Sequence, residues 1–219
     1  MNVMLFGATG MVGQGVLREA LLDPDVARVL AVGRTSTGHR HPKLQEAVVP
    51  NVSDLSAIEA QLTRFDACLF CLGVSSAGMA EGPYTQLTFN LTLTVAATLA
   101  RLNPGMTFVY VSGAGTDSTE RGRMMWARVK GRTENALLKL PFKAAYMVRP
   151  GIIIPLHGIQ SRTSWYRVIY AITRPLYPLL SRLGPNLITT TEQLGRAMIT
   201  LAKDGHSKPI LEMRDINAL

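Results

Sequence analysis

Cysteine is scarce in this chain, acids are outnumbered by bases, and no apolar run is long enough to cross a bilayer. The two cysteines, Cys68 and Cys71, form a single CLFC with no second pair and no histidine cluster beside it. A disulfide framework or a zinc site is therefore not expected. Both lie in the apolar run DACLFCLG, which reads as a buried strand. Residues three apart on a strand point to opposite faces, so ordinary core cysteines are expected. The most apolar late stretch, residues 165–183, is interrupted by Arg167, Arg174 and Arg182 and by Pro175 and Pro178, which excludes a transmembrane helix. No leader precedes the strand in MNVMLFGATG, so a cytoplasmic protein is the expectation. The shortage of acids leaves a formal charge of +8. Most of the basic residues are Arg, spread from Arg18 to Arg214 with no basic tail. With no nucleic-acid-binding motif either, no nucleic-acid partner is expected. A basic surface also suits a polyanionic cofactor.

What is present is an alternation. Apolar runs at 2–6, 27–34, near 47–49, 66–73, 107–115 and 144–154 read as strands. Helical patterns separate them at 10–23, 55–65, 88–103 and 127–140. Continuous apolar strands alternating with helices predict an α/β fold, a doubly wound parallel (Rossmann) sheet covered on both faces. Beyond about residue 155 the character changes: prolines, a basic aromatic segment, then a helical TTEQLGRAMITLAK. One domain over 1–219 is expected, with a Rossmann core over about 1–155 and a short helical C-terminal cap over about 156–219, as a monomer or homodimer.

The first strand runs straight into GATGMVGQG, which spaces Gly7, Gly10 and Gly13 as GxxGxxG. Glycines there permit a tight turn and close backbone approach to a pyrophosphate, which the following helix meets with its positive end. A glycine triplet alone is weak; strand before and helix after are the context that gives it meaning. A dinucleotide cofactor is therefore the expected ligand.

The second strand lacks the acid that an NAD site usually places at its end. VGRTS is there instead, with Arg34, Thr35 and Ser36, and the nearest acids, Asp23 and Asp25, precede the strand. A forked guanidinium beside hydroxyls suits a 2′-phosphate, so NADP is expected over NAD. The competing reading is a solvated Arg at a strand end.

With these segments in place, residues 1 to about 155 resemble the atypical branch of the short-chain dehydrogenase/reductase superfamily. NmrA-like and nucleoside-diphosphate-sugar-epimerase-like proteins belong to that branch, which holds both oxidoreductases and cofactor-binding regulators. The resembling pieces are GATGMVG, CLG, VSGAG, the helix carrying Lys130, and RPG. The resemblance implies that Gly7, Thr9, Gly10, Met11, Val12 and Gly13 hold the pyrophosphate, and that Arg34 with Thr35 holds the 2′-phosphate. Either Asn51 or Asp54 would meet the adenine amine. Cys71, Leu72 and Gly73 would pass under the adenine-side ribose. Pro150 and Gly151 would support the nicotinamide, and Asn90 stands where some relatives have a structural or relay Asn. Ser112 resembles the active-site serine that orients the substrate oxygen, and Lys130 the lysine that binds the nicotinamide ribose.

The sequence departs from the family in WARVK. The family's YxxxK requires a tyrosine at position 126, where this chain has Trp126. An indole N–H donates only and does not exchange a proton usefully near neutral pH. Three readings follow. The site is non-catalytic; or Trp126 walls an apolar substrate pocket while Tyr84, Tyr166 or Tyr170 serves as acid; or the register differs and Lys130 is not the matching lysine. Tyr110 is less suited, because it alternates with core positions. The leading expectation is an NADP(H)-binding protein acting, if it is an enzyme, on a small apolar carbonyl compound. The alternative is a non-catalytic NADP(H) sensor with a partner surface. A sugar-nucleotide epimerase or dehydratase is disfavoured by length and by Trp126.

Overall fold

The computed structural model describes residues 1–159 and 187–219. A parallel sheet organises them. It contains β1 (Asn2–Phe6), β2 (Arg28–Gly33), β3 (Leu44–Val48), β4 (Ala67–Phe70), β5 (Thr107–Val111), β6 (Ala144–Val148) and β9 (Ile210–Leu211), in the order β3-β2-β1-β4-β5-β6-β9. Chain order reverses between β1 and β4, which makes their carboxyl ends the topological switch point where such sheets bind ligands.

Each strand alternates between the two faces of the sheet. Val3, Leu5, Leu69 and Val109 join one core with the helix α1 (Met11–Leu22). Met4, Phe6, Phe70 and Phe108 join the other with α3 (Leu91–Leu102). The period of two arises because successive Cβ atoms point to opposite sides of a pleated strand. Cys68 lies in the second core and Cys71 packs against the first, with both thiols unpaired, as their spacing predicts.

Two expected elements change form. The helical pattern over 55–65 gives only a short 3-10 turn, Ser56–Gln61. Leu55, Ile58 and Leu62 are buried by a spacing that a three-residue turn also satisfies. The chain then breaks at Arg64, with φ 64°, and Phe65 N–H donates to Asn103 Oδ1. The apolar run at 144–154 divides at Pro150. Its second part forms β7 (Ile152–Ile154), which leaves the main sheet and pairs with β8 (Ile188–Thr190). Strand β9, only two residues long, was not legible in the sequence.

Helix α2 (Glu81–Thr85) runs through a π-helical turn, Gln86–Asn90, into α3. Helix α4 (Met125–Leu137) follows β5. Helix α5 (Thr191–Lys203) packs along α1, and α6 (Met213–Asn217) follows β9. Thr190 caps α5 by accepting from Gln193 N–H at 3.0 Å, a side-chain N-cap of the usual kind.

Candidate functional site

Two adjoining cavities lie at the carboxyl ends of β1, β2 and β4. One, of about 340 Å³, is lined by Gly7, Thr9, Gly33, Arg34, Thr35 and Leu72 among others. The second, of about 620 Å³, shares Arg34, Val52 and Leu72 with it and adds Asn51, Gly73, Val74, Leu87 and Asn90.

The glycine turn is built for close approach. Gly7 has φ +83°, and a Cβ there would meet the Cys71 and Leu72 backbone at 2.8 Å. A Cβ on Gly13 would meet the Gly7 carbonyl oxygen at 2.0 Å. Only hydrogen fits at either position, so the turn can hug both β4 and α1. Gly10 N–H donates to Gly7 O at 2.9 Å and closes the turn. Helix α1 then begins with no side-chain cap and no acid in its first turn, which leaves its dipole available to an external anion. Met11 and Val12 pack against the core, so they offer main chain rather than side chain to a ligand.

Arg34 forms no ion pair among the described residues and shares its cavity with Thr35 and Thr37. Asn51 reaches the larger cavity, whereas Asp54 is not on its wall. Asp54 Oδ1 accepts from Ser56 N–H and Ser56 Oγ instead. Of the two candidates for the adenine amine, the structure therefore brings only Asn51 to the cavity. Cys71 contributes its main chain beneath Gly7, while Leu72 and Gly73 line the crevice. Asn90 also lines it, its amide donating to Gln86 Oε1 at 2.7 Å. The apolar side chains Val48, Val74 and Leu87, each more than a third exposed, border these cavities as walls for a flat apolar group.

Farther along the same edge, the carboxyl ends of β5 and β6 are closed upon themselves. Ser112 Oγ donates to Glu134 Oε1 at 2.5 Å and also approaches Val148 O at 3.2 Å. Glu134 is fully buried and receives two guanidinium nitrogens from Arg149. Arg149 reaches on to Glu212 at 2.9 Å and to Ser118 Oγ. The Ser112 hydroxyl thus faces this buried pair. Lys130 Nζ donates to the Ser112 carbonyl oxygen. Gly113 also borders the amine: a Cβ there would lie 3.8 Å from Lys130 Nζ and 3.9 Å from Pro150 O. Burial draws Lys130 down to about 8, with the neighbouring Glu134 charge opposing that shift. Pro150 accepts from Ala114 N–H at 2.8 Å, which ties the loop after β5 to the end of β6, and Gly151 lies against Leu187. Trp126 sits over Gly115, whose added Cβ would lie 3.4 Å from the indole.

The tyrosine candidates can now be placed. Tyr84 is buried, and burial raises its pKa, with the neighbouring Thr88 opposing the shift. Tyr110 is also buried, and burial together with nearby Tyr84 and Glu134 raises it further. Neither phenol reaches solvent to serve as an acid. Tyr166 and Tyr170, with the basic segment around them, lie outside the described residues.

Sequence reasoning missed Glu134, Arg149 and Glu46. Glu134 and Arg149 meet only through packing of α4 against β6. The repeat of an acid four residues after Lys130 was the one local signal.

The glycine turn at the switch point and the doubly wound strand order give a Rossmann-type fold, the fold that short-chain dehydrogenases/reductases share. Solved structures agree. WbmF from Bordetella bronchiseptica, in complex with NAD+, superposes over 99% of this chain and 76% of its own, with a TM-score of 0.65 at 17% identity. MoeE5, in complex with UDP-glucose and NAD, covers 99% and 79% with a TM-score of 0.69 at 14% identity. A short-chain dehydrogenase/reductase from Saccharomyces cerevisiae covers 98% and 97% with a TM-score of 0.66 at 14% identity.

Among curated proteins the chain is similar to Protein fmp52-2, mitochondrial, of Aspergillus terreus, 26% identical over 97% of this chain and 93% of that protein. It is also similar to Protein fmp52, mitochondrial, of Aspergillus niger, 31% identical over 69% of this chain and 66% of that protein. No family model matches the chain. The mitochondrial names of these relatives overturn the cytoplasmic expectation. That expectation was read from the strand and turn of MNVMLFGATG, which carry no information about compartment. Among the described residues no helix is long and apolar enough to cross a membrane.

Proposed function

We propose that this chain is an NADP(H)-binding protein whose site holds the cofactor without the tyrosine-dependent proton transfer of its fold relatives. The observation that carries the reading is Arg34. It stands at the head of the smaller cavity with no ion-pair partner among the described residues, above a glycine turn that admits no Cβ. Gly7, Gly10 and Gly13 would receive the pyrophosphate. Arg34 and Thr35 would receive the 2′-phosphate, and Asn51, Leu72 and Gly73 the adenosine. Lys130 would face the nicotinamide ribose, with Pro150 and Gly151 behind it. When bound, the nicotinamide supplies a hydride.

Trp126, the buried phenols of Tyr84 and Tyr110, and the engaged hydroxyl of Ser112 support a regulatory, cofactor-sensing role. The mitochondrial relatives point to that organelle, which cell fractionation checks. A second reading is an oxidoreductase acting on a small apolar carbonyl compound. It is favoured by Lys130, whose buried amine at about 8 holds an exchangeable proton near neutrality. Calorimetric titration with NADPH and NADH tests the first reading: NADPH should bind more tightly, and equal affinity would sink the NADP preference. Mixing the protein with NADPH and a panel of apolar aldehydes and ketones separates the two roles. Sustained loss of nicotinamide absorbance means an enzyme; binding without turnover means a sensor.

A further inference from the structure

The loop after β2 already holds an anion. Thr37 N–H donates to Glu46 Oε1 at 2.6 Å, and Ser36 Oγ donates to Glu46 Oε2 at 2.6 Å. Gly38 N–H donates to Ser36 Oγ at 3.1 Å, which leaves the hydroxyl proton for the carboxylate. Glu46 comes from β3, where it stands opposite Ala31 of β2, and it lines the same cavity as Arg34, Thr35 and Thr37. Partial burial alone would raise this carboxyl, yet the hydrogen bonds from Ser36 and Thr37 outweigh it and hold the group ionised. The loop donors therefore face a carboxylate at the place where Arg34 invites a phosphate.

We propose that Glu46 is a resident anion that occupies the Ser36 and Thr37 donors of the Arg34 loop and so limits how strongly the site prefers NADPH over NADH. The inference rests on the NADP(H) reading and goes beyond it. A 2′-phosphate entering this loop must either displace the carboxylate from its two donors or sit against its charge. Both cost affinity for NADPH alone. A 2′-hydroxyl pays neither cost and can donate to the same carboxylate, the role that an acid at the end of the second strand plays in NAD sites. Arg34 and Glu46 thus pull the selectivity in opposite directions from two neighbouring strands.

The test measures dissociation constants for NADPH and NADH by calorimetry, on the wild type, Glu46→Gln and Glu46→Ala. Glutamine keeps a carbonyl acceptor for Thr37 N–H and removes the charge; alanine removes both. The NADPH-over-NADH affinity ratio should rise about tenfold in Glu46→Gln, the size of one like-charge contact at a partly solvated site. It should rise in Glu46→Ala as well, and the gain should shrink at high salt. Thermal unfolding of each variant checks that the fold is kept. An unchanged ratio in both variants, or a shift toward NADH, overturns the proposal. If the wild type binds neither dinucleotide, the NADP(H) reading falls and this inference falls with it. If wild-type NADPH binding depends on Arg34 while the Glu46 variants leave the ratio alone, only the role of Glu46 falls.

Discussion

At the crevice between β1 and β4 the chain leaves polar groups for a ligand; at the end of β5 and β6 it spends them on itself. Arg34 and the glycine turn before α1 face an open cavity. Ser112, Glu134, Arg149, Ser118 and Glu212 instead satisfy one another in a network with a buried centre. Buried polar groups without partners are costly, so a network this complete has little capacity left for a substrate. Under the proposed function, cofactor binding and catalysis would therefore be separable in this chain. The crevice beside β1 and β4 stays open, and the end of β5 and β6 is packed as a core.

The largest test of that contrast is Glu134→Ala. It strips Arg149 and Ser112 of their common partner and should destabilise the protein by about 3–5 kcal/mol in denaturant titration, since breaking a buried pair strands the remaining charge. Were that network a working site rather than a core, stability would change little. Gly13→Ala comes next. A Cβ there would lie 2.0 Å from Gly7 O, so the turn must open. A loss of about 1–3 kcal/mol is expected, with dinucleotide binding abolished by calorimetry. Arg34→Ala should leave stability within about 0.5 kcal/mol, as surface changes usually do. It should weaken NADPH by about tenfold to a hundredfold while sparing NADH, the loss of one charge-assisted fork.

Lys130 gives a pH test. Its folded pKa is lowered to about 8, whereas the unfolded side chain titrates in the ordinary lysine range. Between those two values the unfolded chain binds more protons, so this residue makes stability rise with pH; below about 8 both states are protonated and the slope vanishes. Denaturant titrations at pH 8 and 10 should show that increment in the wild type and its loss in Lys130→Met. The smallest effect belongs to Trp126→Tyr. Cofactor affinity should stay within about twofold, with no carbonyl reduction, because the phenol alone finds no free serine hydroxyl. Gly113→Ser adds one in ordinary contact range, 3.8 Å from Lys130 Nζ at the Cβ, at a glycine whose φ is not positive. Reductase activity in the double variant, and not in Trp126→Tyr, would locate the missing group.

How much of this was legible in the sequence depended on distance along the chain. GATGMVG could be read as a phosphate turn because strand, glycines and helix are contiguous, and the strands could be read from their apolar runs. The CLFC could be dismissed as a motif because the two-residue period of a strand is itself local. The 55–65 helix misled because an apolar spacing of three to four fits both a helix and the 3-10 turn that formed. The surroundings of Ser112 were hidden for a different reason. Its neighbours in sequence say nothing of Glu134 on α4 or Arg149 at the end of β6, and those partners decide where its hydroxyl points. The acid missing from the end of β2 was sought along the strand, yet Glu46 arrives from the strand beside it.

The sequence by itself determined the class of sheet, the glycine turn between β1 and α1, the guanidinium at the end of β2 and the tryptophan at position 126. All of these are set by residue type and short-range spacing. Tertiary structure alone decided that Asn51 and not Asp54 reaches the cavity, that Ser112 offers Lys130 its carbonyl oxygen while its hydroxyl turns to Glu134, and that a carboxylate occupies the Arg34 loop. Those outcomes depend on which strand and helix come to lie beside one another, and a parallel sheet makes neighbours of residues far apart in the chain.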